Sequence, residues 1–142
     1  MQEQDIILLE TSFAEVAKVK EDAAALFYER LFVNDPALRP MFEHADMREQ
    51  GRKLMAALSL VVGALRRLDA MIPALEHLAV KHVEYGVRHA HYATVGKALI
   101  ETLSLFFGPV FTQEMRAAWT KAYDVVSGTM IAAAERAGTA ER

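Results

Sequence analysis

Five histidines carry the most versatile side chains in the sequence: His44, His77, His82, His89 and His91. An imidazole near neutral pH can bind a metal, shuttle a proton or switch charge, so the spacing decides what these five can do together. His77 and His82 lie five residues apart, which builds no His-Glu-x-x-His zinc pair, and no Glu-x-x-His pair suits a di-iron bundle. Cysteine is absent, and with it go disulfides, thiolate-bound zinc, iron–sulfur clusters and a cysteine nucleophile. Any metal must therefore rest on imidazole or carboxylate. No Gly-x-Gly-x-x-Gly run, phosphate-cradling loop or nucleophile elbow occurs, so Ser12, Ser59, Ser104 and Ser127 read as packing or surface residues.

His82 is set apart by what precedes it. Leu75, Leu78 and Ala79 stand seven, four and three residues before it, which puts the imidazole on the apolar stripe of a helix. Taken alone, such a histidine reads as a core residue with satisfied ring nitrogens. Tyr28 has an equally plain reading, an interior tyrosine with its hydroxyl on a backbone carbonyl. Gln50 opens an amphipathic helix and, by default, reads as solvent-facing.

Helices must position these side chains, because apolar residues recur at spacings of three and four and no segment alternates as a strand would. Ile6, Leu9, Phe13, Val16 and Ala17 mark a first helix. Ala24, Phe27, Tyr28, Leu31 and Phe32 mark a second, which stops at Asn34-Asp35-Pro36 because the residue before proline is pushed out of the helical region. A short, turn-rich helix from Pro36 to Phe42 follows. Asp46 and Glu49 have capping-box spacing and open a long helix with Gln50, Leu54, Leu58, Val61, Val62 and Leu65 on one broad face. Pro73 is expected in the first turn of the next helix, where its missing N–H costs little. That helix presents Leu75, Leu78, Ala79 and His82 and stops at Gly86. A sixth helix, about Ala90 to Phe107, ends at Gly108-Pro109. Thr112 caps a seventh, carrying Trp119, Tyr123, Val126 and Met130, whose tail is expected to fray over 137–142. About seven helices without a sheet make an all-α architecture.

The length of 142 residues suits a single domain over 1–142, able to bury roughly two thirds of the surface of its unfolded chain. With 16 Lys plus Arg against 19 Asp plus Glu, the formal charge is -3, the wrong sign for a typical nucleic-acid binder. Hydrophobic residues at 53% and charged residues at 25% are those of an ordinary soluble globule. The opening MQEQDIILLE has no basic stretch ahead of an apolar one, so no secretory signal is expected. The longest uncharged apolar run, Leu54 to Leu65, falls short of the roughly 20 residues that span a bilayer. No membrane partner and a cytoplasmic location are the resulting expectations.

Six strings occur in the order and spacing of the bacterial globins: LFYERLF at Leu26 to Phe32, PALRPMFE at Pro36 to Glu43, EQGRKLMAAL at Glu49 to Leu58, AVKHVEYGV at Ala79 to Val87, HYATVG at His91 to Gly96 and AWTKAY at Ala118 to Tyr123. Over nearly its whole length the chain resembles the haem domain of flavohaemoglobins and the single-domain bacterial haemoglobins. The resemblance implies a globin fold around a haem pocket, with haem b (iron protoporphyrin IX) as cofactor. It makes His82 the proximal iron ligand, and Phe42 the aromatic packed on the porphyrin. Tyr28 becomes the distal tyrosine and Gln50 the distal-helix residue, with Leu54 one turn later over the iron. Lys81 is similar to the family's lysine near a propionate, Tyr92 to its proximal-side tyrosine, and Val95 belongs with the haem contacts.

Neutral imidazole is a good iron ligand and leaves the opposite axial position open when no second side chain reaches it. Its other ring nitrogen then needs a carbonyl or side chain to set tautomer and basicity. Dioxygen on ferrous iron gains partial negative charge, and Tyr28 and Gln50 are both donors. Each such bond is worth about 1.5 to 3 kcal/mol, or roughly a ten- to hundredfold slower loss of the gas. The implied function is reversible, high-affinity dioxygen binding for storage, delivery or scavenging. The enzymatic alternative, conversion of nitric oxide to nitrate, expects a separate reductase, since no counterpart of the flavin and nicotinamide domain of flavohaemoglobins is found up to Arg142. Gas sensing is a further reading, and a cofactor-free helical interaction protein is another, which would show no Soret absorption. The chain is expected to be a monomer, or a homodimer through exposed faces of its last two helices.

One position departs from the flavohaemoglobin pattern. There a buried glutamate late in the last helix pairs with the tyrosine and the proximal histidine. Counted from Trp119 without a gap, that position is Ala134, and Glu135 stands one residue on, about 100° around a helix. Either the helix end shifts to present Glu135 or the proximal triad lacks its carboxylate; the second is the expectation, with a weaker electron push toward the distal ligand. Arg48, Arg52, Arg66 and Arg67 read as solvated faces, His89 and His91 as surface or capping residues, and His44 as the lesser candidate for a sixth iron ligand.

Overall fold

The computed structural model describes residues 1–84 and 86–136 with their side chains, and the backbone of 137–140. Six α-helices follow one another: α1 (Glu3–Ala17), α2 (Lys20–Asn34), α3 (Met47–Gly63), α4 (Leu68–Glu84), α5 (His89–Phe107) and α6 (Gln113–Ala140). The short helix after Pro36 is a 3-10 helix, Pro36–Phe42, and makes seven; single 3-10 turns at Leu65–Arg67 and Gly108–Val110 join the longer elements. No strand occurs among the described residues. The expected tail over 137–142 begins where α6 still continues to Ala140, and its last two residues lie outside the described ones.

Local chemistry sets most of these boundaries. The Asp46 carboxylate accepts the Arg48 and Glu49 amides at 3.0 and 3.3 Å, and Thr112 Oγ1 accepts that of Met115 at 3.2 Å, each meeting amides that a helix start leaves without partners. The capping box is half made, because Glu49 turns to Arg52 at 3.1 Å instead of reaching back. Gly86 sits at φ 87°, a conformation open to glycine and strained for other residues. It lets the Val87 amide turn back to the His82 carbonyl at 2.9 Å, which closes α4.

Pro73 departs from expectation. The helix begins at Leu68, so Pro73 is its sixth residue and lies inside rather than in the first turn. Leu68 packs on both core clusters and Met71 is buried at 4% exposure, so packing winds these residues into the helix ahead of the proline. The carbonyl four residues back belongs to exposed Asp69, so the hydrogen bond that proline removes is lost on the solvent side, where it costs least.

Two apolar clusters form the core. The larger joins α1, α2, α3, α5 and α6 through Leu9, Phe13, Phe27, Leu31, Met55, Leu99 and Trp119. Within it Trp119 Nε1 donates to Ser12 Oγ at 3.0 Å, and Ser12 donates onward to the Leu8 carbonyl at 2.6 Å, so the buried indole is satisfied. The smaller cluster joins α4, α5 and α6 through Met71, Leu75, Ala79, Tyr92, Met130 and Ala133. Outside the core, Arg66 binds Glu3 and Glu10 of α1 rather than facing solvent alone. No helix of the described residues is long and apolar enough to cross a membrane.

Candidate haem site

The first half of the site rests on the approach of α2 to α3. A Cβ added at Gly51 would lie 2.9 Å from Ala24 Cβ, so only glycine lets the two helices come this close. One turn beyond Ala24 stands Tyr28, and beside Gly51 stands Gln50. The Tyr28 hydroxyl donates to the main-chain carbonyl of Gln50 at 3.4 Å, the arrangement expected of an interior tyrosine. Burial pushes its pKa up to about 12, which keeps the phenol protonated, and hence a donor, at neutral pH. Gln50 is half-buried rather than solvent-facing.

Phe42, delivered by the 3-10 helix, packs edge-on against Tyr28 (centroids 5.6 Å apart) and against Phe32 (5.5 Å). The Arg39 guanidinium covers Phe32 at 4.8 Å, a cation–π contact that closes this aromatic group from outside. Leu54 and Val95 are half-buried and pack on the larger cluster.

The second half is carried by α4. His82 Nδ1 lies 2.7 Å from the carbonyl of Leu78, four residues back on the same helix. A carbonyl can only accept, so Nδ1 is the donor and a neutral imidazole keeps its lone pair on Nε2. The ring of Tyr92 lies nearly parallel to it, 6.5 Å away at 26°. The Tyr92 hydroxyl is buried without a hydrogen-bond partner among the described residues. Near it the last helix presents Met130 and Ala133 to the same cluster, while Ala134 is half-buried. The Glu135 carboxylate, 65% exposed, lies 3.5 Å from His89 Nδ1. Among the described residues, therefore, no carboxylate meets the Tyr92 hydroxyl.

Between the two halves, α3 and α4 are linked by the turn Leu65–Arg67 yet do not pack extensively on each other. Their inward apolar residues stay half-buried: Leu54, Leu58 and Val61 on α3, Leu68 and Leu78 on α4. Of the residues singled out in the sequence, Tyr28, Phe42 and Gln50 meet on one side, and His82 and Tyr92 on the other. Lys81 stands apart, exposed and 3.7 Å from Glu84. His44 is exposed, and His91 accepts the Arg88 amide at 2.8 Å as an N-terminal cap. Sequence reasoning did not give Tyr123 a role beyond its apolar stripe, although its hydroxyl donates to the Tyr92 carbonyl at 2.5 Å. Its place one turn after Trp119 was the available signal.

With one imidazole oriented by its own helix, the all-α chain belongs to the globin family: the family's sequence profile, Globin, matches residues 25–130. Its relatives include the flavohemoproteins of Bordetella parapertussis and Bordetella bronchiseptica, each 34% identical over 118 residues. Those matches cover 80% of this chain but 29% of the relatives' length. The flavohemoprotein of Vibrio cholerae is 34% identical over 99 residues, 68% of this chain and 25% of its own. Among solved structures, a bacterial globin from Campylobacter jejuni superposes with a TM-score of 0.86 at 24% identity, covering 97% of this chain and 99% of that one. An engineered carbene transferase from Rhodothermus marinus, itself inferred to be a nitric oxide dioxygenase, gives 0.87 at 24% identity, covering 99% and 97%. These likenesses establish the all-α globin fold, a fold that holds haem.

The residues fit that group. One imidazole is oriented by a bond through Nδ1, the neighbouring apolar faces of α3 and α4 stay half-buried, and α2 carries a protonated phenol. No group of three or more His, Asp or Glu side chains among the described residues offers a metal a different home.

Proposed function

We propose that the chain holds haem b through His82 Nε2 and binds dioxygen reversibly and tightly on the opposite side. The observation that supports this is the 2.7 Å bond from His82 Nδ1 to the Leu78 carbonyl, which puts the proton on Nδ1 and the lone pair a metal would use on Nε2. Haem, when bound, would supply iron able to take up a diatomic gas. Phe42 supplies an aromatic wall for the porphyrin, and Leu54 and Val95 supply apolar ones that keep water out. Tyr92 backs the imidazole. Lys81 turns from exposed Glu84 to a propionate at the pocket mouth. Tyr28 has little to give up in turning toward a gas ligand, because its 3.4 Å bond to Gln50 is long. The Gln50 side-chain amide is the second donor.

The purified chain supplied with haem should show a Soret band and bind dioxygen reversibly. His82→Ala should abolish stable uptake; a variant that keeps the colour and the gas binding refutes the assignment. A second reading, conversion of nitric oxide to nitrate, is the one the resemblance to the flavohaemoglobins implies. It expects re-reduction by a separate flavin reductase acting in the cytoplasm. Stopped-flow mixing of the oxygenated protein with nitric oxide, followed by added cellular reductase, separates the two, since a binder without a reductant reacts once and stops.

A further inference from the structure

Tyr123 grips α5 in two places. Its hydroxyl donates to the Tyr92 carbonyl at 2.5 Å. Its ring fills the space where a side chain at position 96 would stand, for a Cβ added to Gly96 would lie 2.7 Å from Tyr123 Cε2 and 2.9 Å from Cδ2. Residues 92 and 96 are one helical turn apart, and the carbonyl at 92 is the one the helix ladder offers to the amide at 96. One lone pair thus serves the helix and the other serves Tyr123. The Tyr92 side chain has no such anchor of its own. It is 8% exposed, and its hydroxyl has no hydrogen-bond partner among the described residues, so backbone position and packing against Met71, Leu75, Ala79, Met130 and Ala133 decide where its ring lies. That ring faces the His82 imidazole at 6.5 Å.

From this geometry we propose that Tyr123 is a positioning residue: by holding α5 at Tyr92 and Gly96 from α6, it sets the Tyr92 ring against His82 and so the orientation of the imidazole. Its consequence for a haem iron rests on the function proposed above. The chain of contacts does not, and can be tested without haem.

Two variants break the grip differently. Tyr123→Phe keeps the ring and removes the hydroxyl, whereas Gly96→Ala keeps the hydroxyl and displaces the ring. In the haem-free chain, NMR of labelled histidine should show the His82 ring signals moved in both variants and those of His44 and His77 unmoved. Amides over 89–96 should exchange about two- to tenfold faster, the effect of one lost hydrogen bond. In the haem-loaded protein, the iron–histidine stretching band should shift in both variants and stay in place in Thr120→Ala, a control on the exposed face of α6. Unmoved His82 signals in a folded Tyr123→Phe overturn the proposal, and if that variant does not fold, Gly96→Ala decides by the same signals. A parent chain that takes up no haem defeats the haem assignment alone, and the histidine spectra still judge Tyr123.

Discussion

Replacing Gly51 by alanine would place a methyl group 2.9 Å from Ala24 Cβ, where carbon atoms rest comfortably at about 3.5 to 4.0 Å. Neither group can rotate aside, since a methyl has no torsion that moves its carbon, and Ala24 is buried at 3% exposure. The helices must part by roughly 0.6 to 1 Å. Overpacking of this kind costs about 1 to 3 kcal/mol, while the better helix propensity of alanine offsets about 1 kcal/mol. The single variant is therefore destabilised by only about 0 to 2 kcal/mol, a weak test. The double variant is a strong one. Ala24→Gly alone loses about 1 kcal/mol of helix propensity, but combined with Gly51→Ala it moves the methyl from one helix to the other. The two changes should then couple by about 1 to 3 kcal/mol. Urea unfolding followed by helical circular dichroism would show this as a midpoint difference of roughly 0.5 to 1.5 M, for a slope of about 2 kcal/mol per M. Coupling below about 0.5 kcal/mol would mean that the helices do not meet at these residues. The same separation would draw Gln50 away from Tyr28, so Gly51→Ala should also disturb the distal side.

Tyr28→Phe should speed dioxygen loss from the haem-loaded protein about ten- to hundredfold in a stopped-flow displacement experiment, and an unchanged rate would place the stabilising donor elsewhere. Alkaline stability follows from the tyrosines. Burial holds Tyr28 neutral up to about pH 12 and pushes Tyr92 and Tyr123 upward as well, whereas unfolded tyrosine ionises near pH 10. The stabilisation is whole below about pH 10 and is lost as pH rises through the folded value, on the order of 2 kcal/mol for Tyr28. Urea midpoints at about pH 9 and pH 11.5 would measure it, and Tyr28→Phe should flatten part of the fall. Ala134→Glu is expected to supply an acceptor for the Tyr92 hydroxyl and to shift the iron–histidine stretch; an unaltered band would show that α6 turns another face to that tyrosine.

The parts of the molecule legible in its sequence are those whose partners lie within about one helical turn. Asp46, Thr112 and Gly86 announce helix ends because each acts on amides or carbonyls a few residues away. The bond from His82 to the Leu78 carbonyl belongs to the same class. So does the stripe of Leu75, Leu78, Ala79 and His82, whose inward face is a matter of helical period. Pro73 was misplaced because its position in α4 depends on Leu68 and Met71 finding a core, which no local rule reports. Glu135 was visible as one step out of register, but its contact with His89 was not.

Spacing and motif alone determined an all-α chain with one histidine set among apolar residues; a place for Tyr28 and Gln50 in the same pocket is what the resemblance to the bacterial globins implies. The close approach of Ala24 to Gly51, the turn of the Tyr28 hydroxyl to the Gln50 carbonyl, the burial of the Tyr92 hydroxyl and the hold of Tyr123 on α5 were decided by tertiary structure. Each joins residues far apart in the chain, and such pairs form only where the burial of many other side chains outweighs the entropy of bringing them together.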